Sequence, residues 1–554
     1  MTNKEIASAF NSLGKIMELH DENPYKIRSY QNAYFQLRKV SKPIAEMTPE
    51  EIAAIKGVGN AIAGKIKELL ETGTLETYQK YQVQTPIGVQ EMLQLKGFGP
   101  KKIRVLWKDL GAESIVELLY ACNENRLIEL KGFGHKTQEN LKAKLAYFLQ
   151  SRDKFHYAKL EPIALKLIAT LRAALPNISV ELTGAMARRL EIVEHIDLLV
   201  GTEDPLDAVL KPLDLSLVDT QEQYRLYRDE NNTPIRIFQC AATDFGSKFF
   251  RFTGAKAFLD AFVAASPDTD FRAIIDEKEI FTKAKLAFIP PELRENADAI
   301  SLAQENRIPK LIEATDIKGV LHCHTTYSDG INSVQEMAEE AQRLGYDYIG
   351  ITDHSKSAFY ANGLKPDRVL AQMEEIDQVN AQFKDFKIFK GIESDILNDG
   401  NLDYDAEILA KFDFIVASVH ANLKMDKEKA TTRLIKAIEN PYTTILGHPT
   451  GRLLLSREGY PINHEKVIEA CAANGVVIEL NANPYRLDID WRWIPYALER
   501  GVKIAINPDA HSLIGIQDIH FGLLQARKGG LTAATCFNNL SIEAFQNHVA
   551  ARGK

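Results

Sequence analysis

The chain has 554 residues, 45% apolar and 26% charged, with a formal net charge of −8. That length exceeds what one core organises, so three or four domains are expected, and the negative charge excludes a protein that coats nucleic acid by bulk attraction. No apolar run approaches a membrane span, no signal peptide is visible, and the five cysteines form no CxxC pair, so a cytoplasmic protein with no membrane partner is expected.

Residues 1–80 read as helices, with apolar positions returning at three and four in KEIASAFNSLGKIMELH and NPYKIRSYQNAYFQLRKV. A repeat begins inside this region and continues through 81–152. IKGVGNAIAGKI at 55–66, LKGFGPKKIRVLW at 95–107 and LKGFGHKTQENL at 130–141 share apolar-Lys-Gly-apolar-Gly followed by a helical pattern. Glycine lets a backbone approach closely, and the next helix start offers unpaired N–H groups to an anion, so each unit suits a DNA phosphate without reading sequence. Gly57, Gly59, Gly97, Gly99, Gly132 and Gly134 are the expected contact positions, with Lys56, Lys96, Lys131, Lys101, Lys102 and Lys136 supplying local positive charge. A single copy reads equally well as a helix turn that needs glycine; three copies favour DNA.

From 153 to 290 the texture is mixed α/β, with strand-like ISVELTG, IDLLVG and PIRIFQCAA. Residues 291–314 are polar and read as a linker. From 315 to 554 strands and helices alternate, as in a barrel of about seven units. Within it, short apolar runs repeatedly end in a histidine or an acid: LHCHTTYSDG, IGITDH, GIESD, VASVH, ILGHP and INPDAH. Barrel strands place their last residues at one mouth, so His322, His324, Asp329, His354, Glu393, His420, His448, Asp509 and His511 are expected to converge. One histidine at a strand end is usually structural. Six of the chain's 13 histidines in such positions read as a metal site, and nine imidazole and carboxylate donors suit two or three ions of zinc or manganese, with iron as a further option. Cys323 is expected to turn away by strand alternation, and His464 and His520 fall outside the pattern.

This order of segments resembles the bacterial family X DNA polymerases, in which helix-hairpin-helix domains, a nucleotidyltransferase palm and a C-terminal polymerase-and-histidinol-phosphatase (PHP) domain follow one another. The motifs LHCHTTYSDG, ITDHSKS, GIESDI, ASVH, GHPTGRLLL, ELNANP and INPDAHS are similar to the PHP set, and the resemblance covers essentially the whole chain. It implies a multidomain fold: a helical N-terminal region, an α/β palm and a distorted (β/α)7 barrel. It also implies that all nine residues are metal ligands, with Glu393 bridging and Asp329 and His354 part of the catalytic set. Val320 stands where many relatives carry an acid.

The family's palm pattern is Gly-Ser, two arginines, Asp-x-Asp, and a third Asp on a later strand. GAMARRLEIVEHIDLLV keeps Gly184 and Asp197 but puts Ala185 at the serine, Ala187 at the first arginine and His195 at the first aspartate. PIRIF puts Arg236 at the third aspartate, and FTGA puts Ala255 at a second serine, while Asp229 and Asp244 remain as stand-ins. Two magnesium ions need several anionic oxygens, so the palm is expected not to hold magnesium and not to polymerise.

The expected activity is therefore a metal-dependent DNA phosphodiesterase of the barrel, trimming 3′ ends or cutting damaged sites. Asp353 and Asp395 are expected to orient ligand histidines, and Arg452 and Lys356, then Asn481, Asn483 and Arg486, to hold substrate phosphate. Gapped, nicked or single-stranded DNA ends are the expected partner, and a monomer the expected state. Three alternatives stay open: a gap-filling polymerase with an attached nuclease, a phosphatase of the histidinol-phosphate type, and a DNA-binding scaffold with structural metals. Lyase chemistry would need a lysine of lowered pKa, for which Lys26 and Lys65 are available.

Overall fold

The computed structural model describes residues 1–552 except 41, 96, 131 and 152. Lys96 and Lys131 lie outside the described residues. The chain divides into two compact units, Met1–Arg152 and Asp153–Lys554.

The first unit is helical throughout. Thr2 and Glu5 form a capping box at the start of Asn3–Leu19, and the apolar stripe of that helix buries Phe10, Leu13 and Met17 beside Ile27, Tyr30 and Leu37 of the neighbouring regions. A second apolar cluster gathers Val89, Ile103, Leu106, Leu118 and Leu141, so the second and third hairpins share one core.

The second unit begins with a five-stranded sheet in the order 180–182, 196–200, 234–239, 224–228, 216–220. Its two central strands, Ile196–Val200 and Pro234–Gln239, run parallel, and Asp197 lies directly beside Arg236 in that register. Residues 291–314, a polar stretch in sequence, are not a free connector. Their helix Asp298–Gln304 packs Ala299, Ile300 and Ala303 among Phe250, Phe258, Phe262 and Phe281. Arg294 is fully buried, donates through both terminal nitrogens to Glu277 at 2.6 and 2.9 Å, and has its guanidinium within 5.2–5.7 Å of three phenylalanine rings. Composition hides such a segment because paired charges and alanines carry its packing.

The remainder forms seven parallel strands in sequence order: Gly319–Cys323, Tyr348–Ile351, Lys387–Asp395, Phe414–Ser418, Ile445–Leu446, Val477–Asn481 and Ile504–Asn507. Apart from Lys387 and Lys390, every strand position is buried, as expected when helices cover a parallel sheet. The first and last strands meet through a bridge between Cys323 and Ala510, with His324 N–H donating to the Ala510 carbonyl at 2.8 Å and Ala510 N–H to that of His322 at 3.2 Å. The sheet thus closes nearly completely. Phe537 and Phe545 from the C-terminal segment join Leu321, Tyr348, Phe389, Phe414, Val416 and Ile445 in filling the interior. Among the described residues no helix is long and apolar enough to cross a membrane.

Palm and barrel are joined within this unit by polar contacts. Lys528 donates to the Arg188 carbonyl at 2.9 Å, Gln525 to that of Arg189 at 2.8 Å, and His520 lies 2.9 Å from Glu161.

Candidate metal centre

The nine barrel residues come together at the carboxyl ends of the strands. Three overlapping groups have donor atoms within 4.8 Å of one another: His324, Asp329, His354 and His511; His322, His324 and Asp509; and His354, Glu393 and His420. His448 joins through Glu393, its Nε2 being 3.0 Å from Oε1. Strand alternation turns His322 and His324 to the same, inner side, while Cys323 packs among Val334, Met337 and Ile349 on the outer side. Val320 lies in that same outer apolar cluster. Asp509 holds φ at +52°, a left-handed conformation that costs a residue with a Cβ about 1 kcal/mol and here turns a carboxylate into the mouth.

Glu393 sits at the centre. His354 Nδ1 is 2.9 Å, His420 Nε2 3.1 Å and His322 Nε2 3.4 Å from its carboxylate. Yet among the described residues His322 Nε2, His354 Nδ1, both nitrogens of His324 and Glu393 Oε2 are buried without a hydrogen-bond partner. Buried polar atoms are rarely left so. Opposed lone pairs of imidazole and carboxylate are the donor set of divalent metal ions, and more than one cation would be needed to meet these atoms, since the two nitrogens of His324 point apart.

Charge in the cluster is strongly coupled. Burial alone would raise Glu393, but His420, His322 and His354 hold its carboxyl well below the usual carboxylate range. Burial likewise opposes the ionised form of Asp509, which His322 and its neighbours hold well below normal. Burial, then His511 and His354, push His324 down to about 3, leaving the neutral imidazole that binds metals. Burial would lower His420 too, but Glu393 and Asp395 carry it up to about 10.

Around the mouth, several expected roles are redistributed. Asp395 does orient a histidine, accepting from His420 Nδ1 at 2.7 Å. Asp353 does not: it accepts from the Thr325 and Ser328 N–H groups at 2.8 and 3.1 Å and from their hydroxyls and Gln372, so it fixes the loop before Asp329. Glu479, within the ELNANP motif but not singled out by sequence, lies 3.0 Å from His322 Nδ1 and is fully buried. An acid on the sixth strand facing a histidine on the first is a relation only the closed barrel creates.

Arg452 is not free to hold phosphate. Its guanidinium donates to Asp490 at 2.6 Å and to the carbonyls of Arg486 and Leu487, which makes it a brace of the turn at 486–490. Arg486, whose Nε lies 3.5 Å from Asp509, is the arginine that reaches the centre. Asn481 donates to Asp509 at 3.0 Å, and Asn483 stays within its own turn, accepting from Tyr485 N–H at 3.0 Å. Lys356 is exposed above the Tyr404 ring, 5.3 Å from its centroid. His464 stacks on Trp493 at 4.5 Å.

The palm centre differs in kind. Arg236 grips Asp197 in a bidentate pair, Nε to Oδ1 at 2.6 Å and Nη2 to Oδ2 at 2.7 Å, while His195 Nε2 stands 3.5 Å from Oδ1. Burial, only partly offset by Asp197, lowers His195 and favours its uncharged form. Asp229 accepts from Asn231 and Thr233 in a hairpin turn, and Asp244 from Ala273, so neither carboxylate joins Asp197. Ala255 caps a helix with its N–H on the Arg294 carbonyl, and Ala185 packs against the palm core.

In the first unit the three hairpins repeat one geometry. Gly57, Gly97 and Gly132 hold φ at +82°, +85° and +90°, and Gly59, Gly99 and Gly134 directly precede the helices Asn60–Thr72, Pro100–Lys108 and His135–Ser151. A Cβ added at any of the latter three meets nothing within 4 Å, so each helix start is open to an approaching anion. Lys56, Lys101, Lys102 and Lys136 are exposed beside these turns, whereas Lys65 is paired with Glu68 at 2.5 Å.

Comparison with known proteins agrees with this division. Residues 1–75 match the helix-hairpin-helix domain, 89–146 the SAM-like helix-hairpin-helix tandem and 321–483 the PHP domain. Over the barrel the chain is similar to a probable phosphatase of Thermoanaerobacter sp. (strain X514), 33% identical over 241 residues, 40% of this chain and 91% of that protein. A probable phosphatase of Caldanaerobacter subterraneus is 33% identical over 207 residues, 34% of this chain and 74% of that protein. The DNA polymerase/3'-5' exonuclease PolX of Bacillus subtilis (strain 168) is 32% identical over 571 residues, covering 98% of this chain and 99% of that protein. The chain therefore belongs to the PolX family, the bacterial family X DNA polymerases that carry a C-terminal PHP domain.

Proposed function

We propose that this PolX-family chain is a DNA end-processing phosphodiesterase whose chemistry resides in the barrel, and that its palm holds DNA without extending it. The observation that carries the first half is that, among the described residues, nitrogens of His322, His324 and His354 and Oε2 of Glu393 are buried together without hydrogen-bond partners. Zinc, manganese or iron, two or three ions in all, are the cofactors this donor set suits, and Glu393, set between His354 and His420, would help to hold them. When bound, such ions supply water activation near neutral pH and neutralise charge on phosphate oxygens. Asp395 and Glu479 keep His420 and His322 oriented by holding their Nδ1 sides at 2.7 and 3.0 Å, which directs Nε2 into the site. Arg486 presents a planar cation to phosphate beside Asp509. The 3′ end is the natural point of attack, since the B. subtilis relative carries the name of a 3'-5' exonuclease.

The second half rests on Arg236. A guanidinium in bidentate contact with Asp197 occupies the oxygens a magnesium ion requires and carries the charge that ion would supply. The hairpins and the palm then act as a grip that raises the effective concentration of a strand end near the barrel.

Digestion of 5′-labelled and 3′-labelled single strands with manganese, by the intact protein and by His322→Ala/His324→Ala, tests the barrel. Shortening from the 3′ end by the former alone is expected, and equal cleavage by both removes the assignment. Primer extension with magnesium tests the palm: no incorporation is expected, and incorporation abolished by Asp197→Ala would restore polymerase activity.

A second reading is favoured by the barrel's similarity to the two probable phosphatases, which lack most of the remaining chain. It is hydrolysis of a small phosphate monoester. Turnover of histidinol phosphate exceeding that of single-stranded DNA would establish it.

A further inference from the structure

The turn that follows the second barrel strand displays two large rings that the metal centre does not need. Phe359 and Tyr360 are 86% and 70% exposed. Their backbone is nevertheless fixed. Ser357 donates to Asp403 from its N–H and its hydroxyl, each at 2.6 Å, and Leu364 N–H donates to the His354 carbonyl at 2.8 Å. A Cβ on Gly363 would fall 1.9 Å from the Ser355 carbonyl oxygen, so the return of the loop is closed against change. The alanines on either side of the pair, at 358 and 361, are 1% exposed. The turn thus buries its small residues and holds its aromatic ones in solvent, the reverse of what burial alone favours.

The position is specific. The Tyr360 ring centroid lies 6.0 Å from the His354 ring and 6.4 Å from the His420 ring, both of which touch Glu393. A flat molecule resting on Tyr360 is therefore within one nucleotide's reach of the acid–imidazole cluster, where Arg486 offers a cation. An unpaired nucleobase meets these requirements: a free π face, joined through one sugar to an anionic phosphate. Bases inside a duplex have no free face to offer.

We infer that Phe359 and Tyr360 form a stacking platform for the last unpaired bases of a DNA strand, setting the adjoining phosphate beside His354, Glu393 and His420. This rests on the phosphodiesterase reading above. Both residues are positioning residues, and their rings select single-stranded over paired ends.

Two strands test it: one ordinary, one whose last two nucleotides lack bases. Phe359→Ala/Tyr360→Ala is expected to raise KM for the ordinary strand about tenfold or more with kcat little changed, and to leave the base-free strand unaffected. Tyr360→Phe, which keeps the ring, should behave as wild type. Because both rings are exposed, the fold tolerates their removal. A separate binding measurement without metal uses a strand ending in 2-aminopurine, whose fluorescence should be quenched on wild type and not on the double variant. If wild type cleaves neither strand, the phosphodiesterase reading fails and the fluorescence alone judges the platform. Equal digestion of the ordinary strand by wild type and double variant, or no quenching on wild type, overturns it.

Discussion

In the palm, the buried carboxylate of Asp197 is met by a guanidinium of its own chain at 2.6 and 2.7 Å; in the barrel, Glu393 and Asp509 face imidazoles, and among the described residues His322 Nε2, His324 Nε2 and His354 Nδ1 are buried there without a hydrogen bond. Both regions set acids beside histidines on parallel strands. The palm supplies a countercharge to its acid from its own chain, whereas in the reading proposed above the barrel takes one from solution. On that reading the pair of Asp197 and Arg236 serves the fold, and the buried acids of the barrel serve chemistry.

The largest effect that would break this contrast is on the barrel side. Glu393→Gln removes the central charge from at least four imidazoles, and hydrolysis of labelled single strands should fall to the level of chelated wild type. That loss should exceed the roughly 10–100-fold that outer contacts carry. Activity within tenfold of wild type would mean that Glu393 is not the hub. On the palm side, Arg236→Ala leaves Asp197 buried with, among the described residues, only His195 as an ion-pair partner, at 3.5 Å. Breaking such a pair costs about 3 kcal/mol, the low end of the usual range because the arginine side chain is 28% exposed. Chemical denaturation reads the change, and no loss of stability would mean that the pair does not hold the palm together.

A smaller effect sharpens how the barrel is tuned. Glu479→Gln keeps the shape but weakens the acceptor on His322 Nδ1, and metal affinity should drop about 10–100-fold in a competition titration. Asp353→Asn should instead loosen the Thr325–Ser328 loop, seen as faster amide exchange there.

What sequence made legible follows the same line. The convergence of the nine residues could be read because they fall at or just beyond the ends of six strands, a local pattern that a barrel brings together. Arg236 was singled out because the family resemblance puts it at the third aspartate, and its parallel pairing beside Asp197 emerged only with the fold. The roles of Glu479, Asp353 and Arg452 were not, since each depends on which side chains oppose one another across loops and strands 25 to 157 residues apart. The segment 291–314 misled by composition: Glu292, Arg294 and Glu295 pair with Arg527, Glu277 and Arg188 outside it, and its alanines do the packing.

The seam between the two regions offers a third kind of compensation, whose effect is confined to alkaline pH. Lys528 is wholly buried with Nζ 2.6 Å from Glu295, which Arg188 of the palm also holds at 2.8 Å. Burial, opposed by Glu295, lowers this lysine to about 8. Its folded pKa therefore lies below its unfolded one of about 10.4. Below pH 8 both states carry the proton and the charged form's burial cost is constant. Between about 8 and 10 the unfolded chain keeps a proton that the folded chain has shed, so stability rises with pH, by on the order of 3 kcal/mol at the limit. Lys528→Met lacks that rise, and denaturation midpoints at pH 7.5 and 9.5 should separate the two proteins. Parallel behaviour would mean that Lys528 stays charged at the seam, making the contact a full ion pair like that of Asp197 and Arg236.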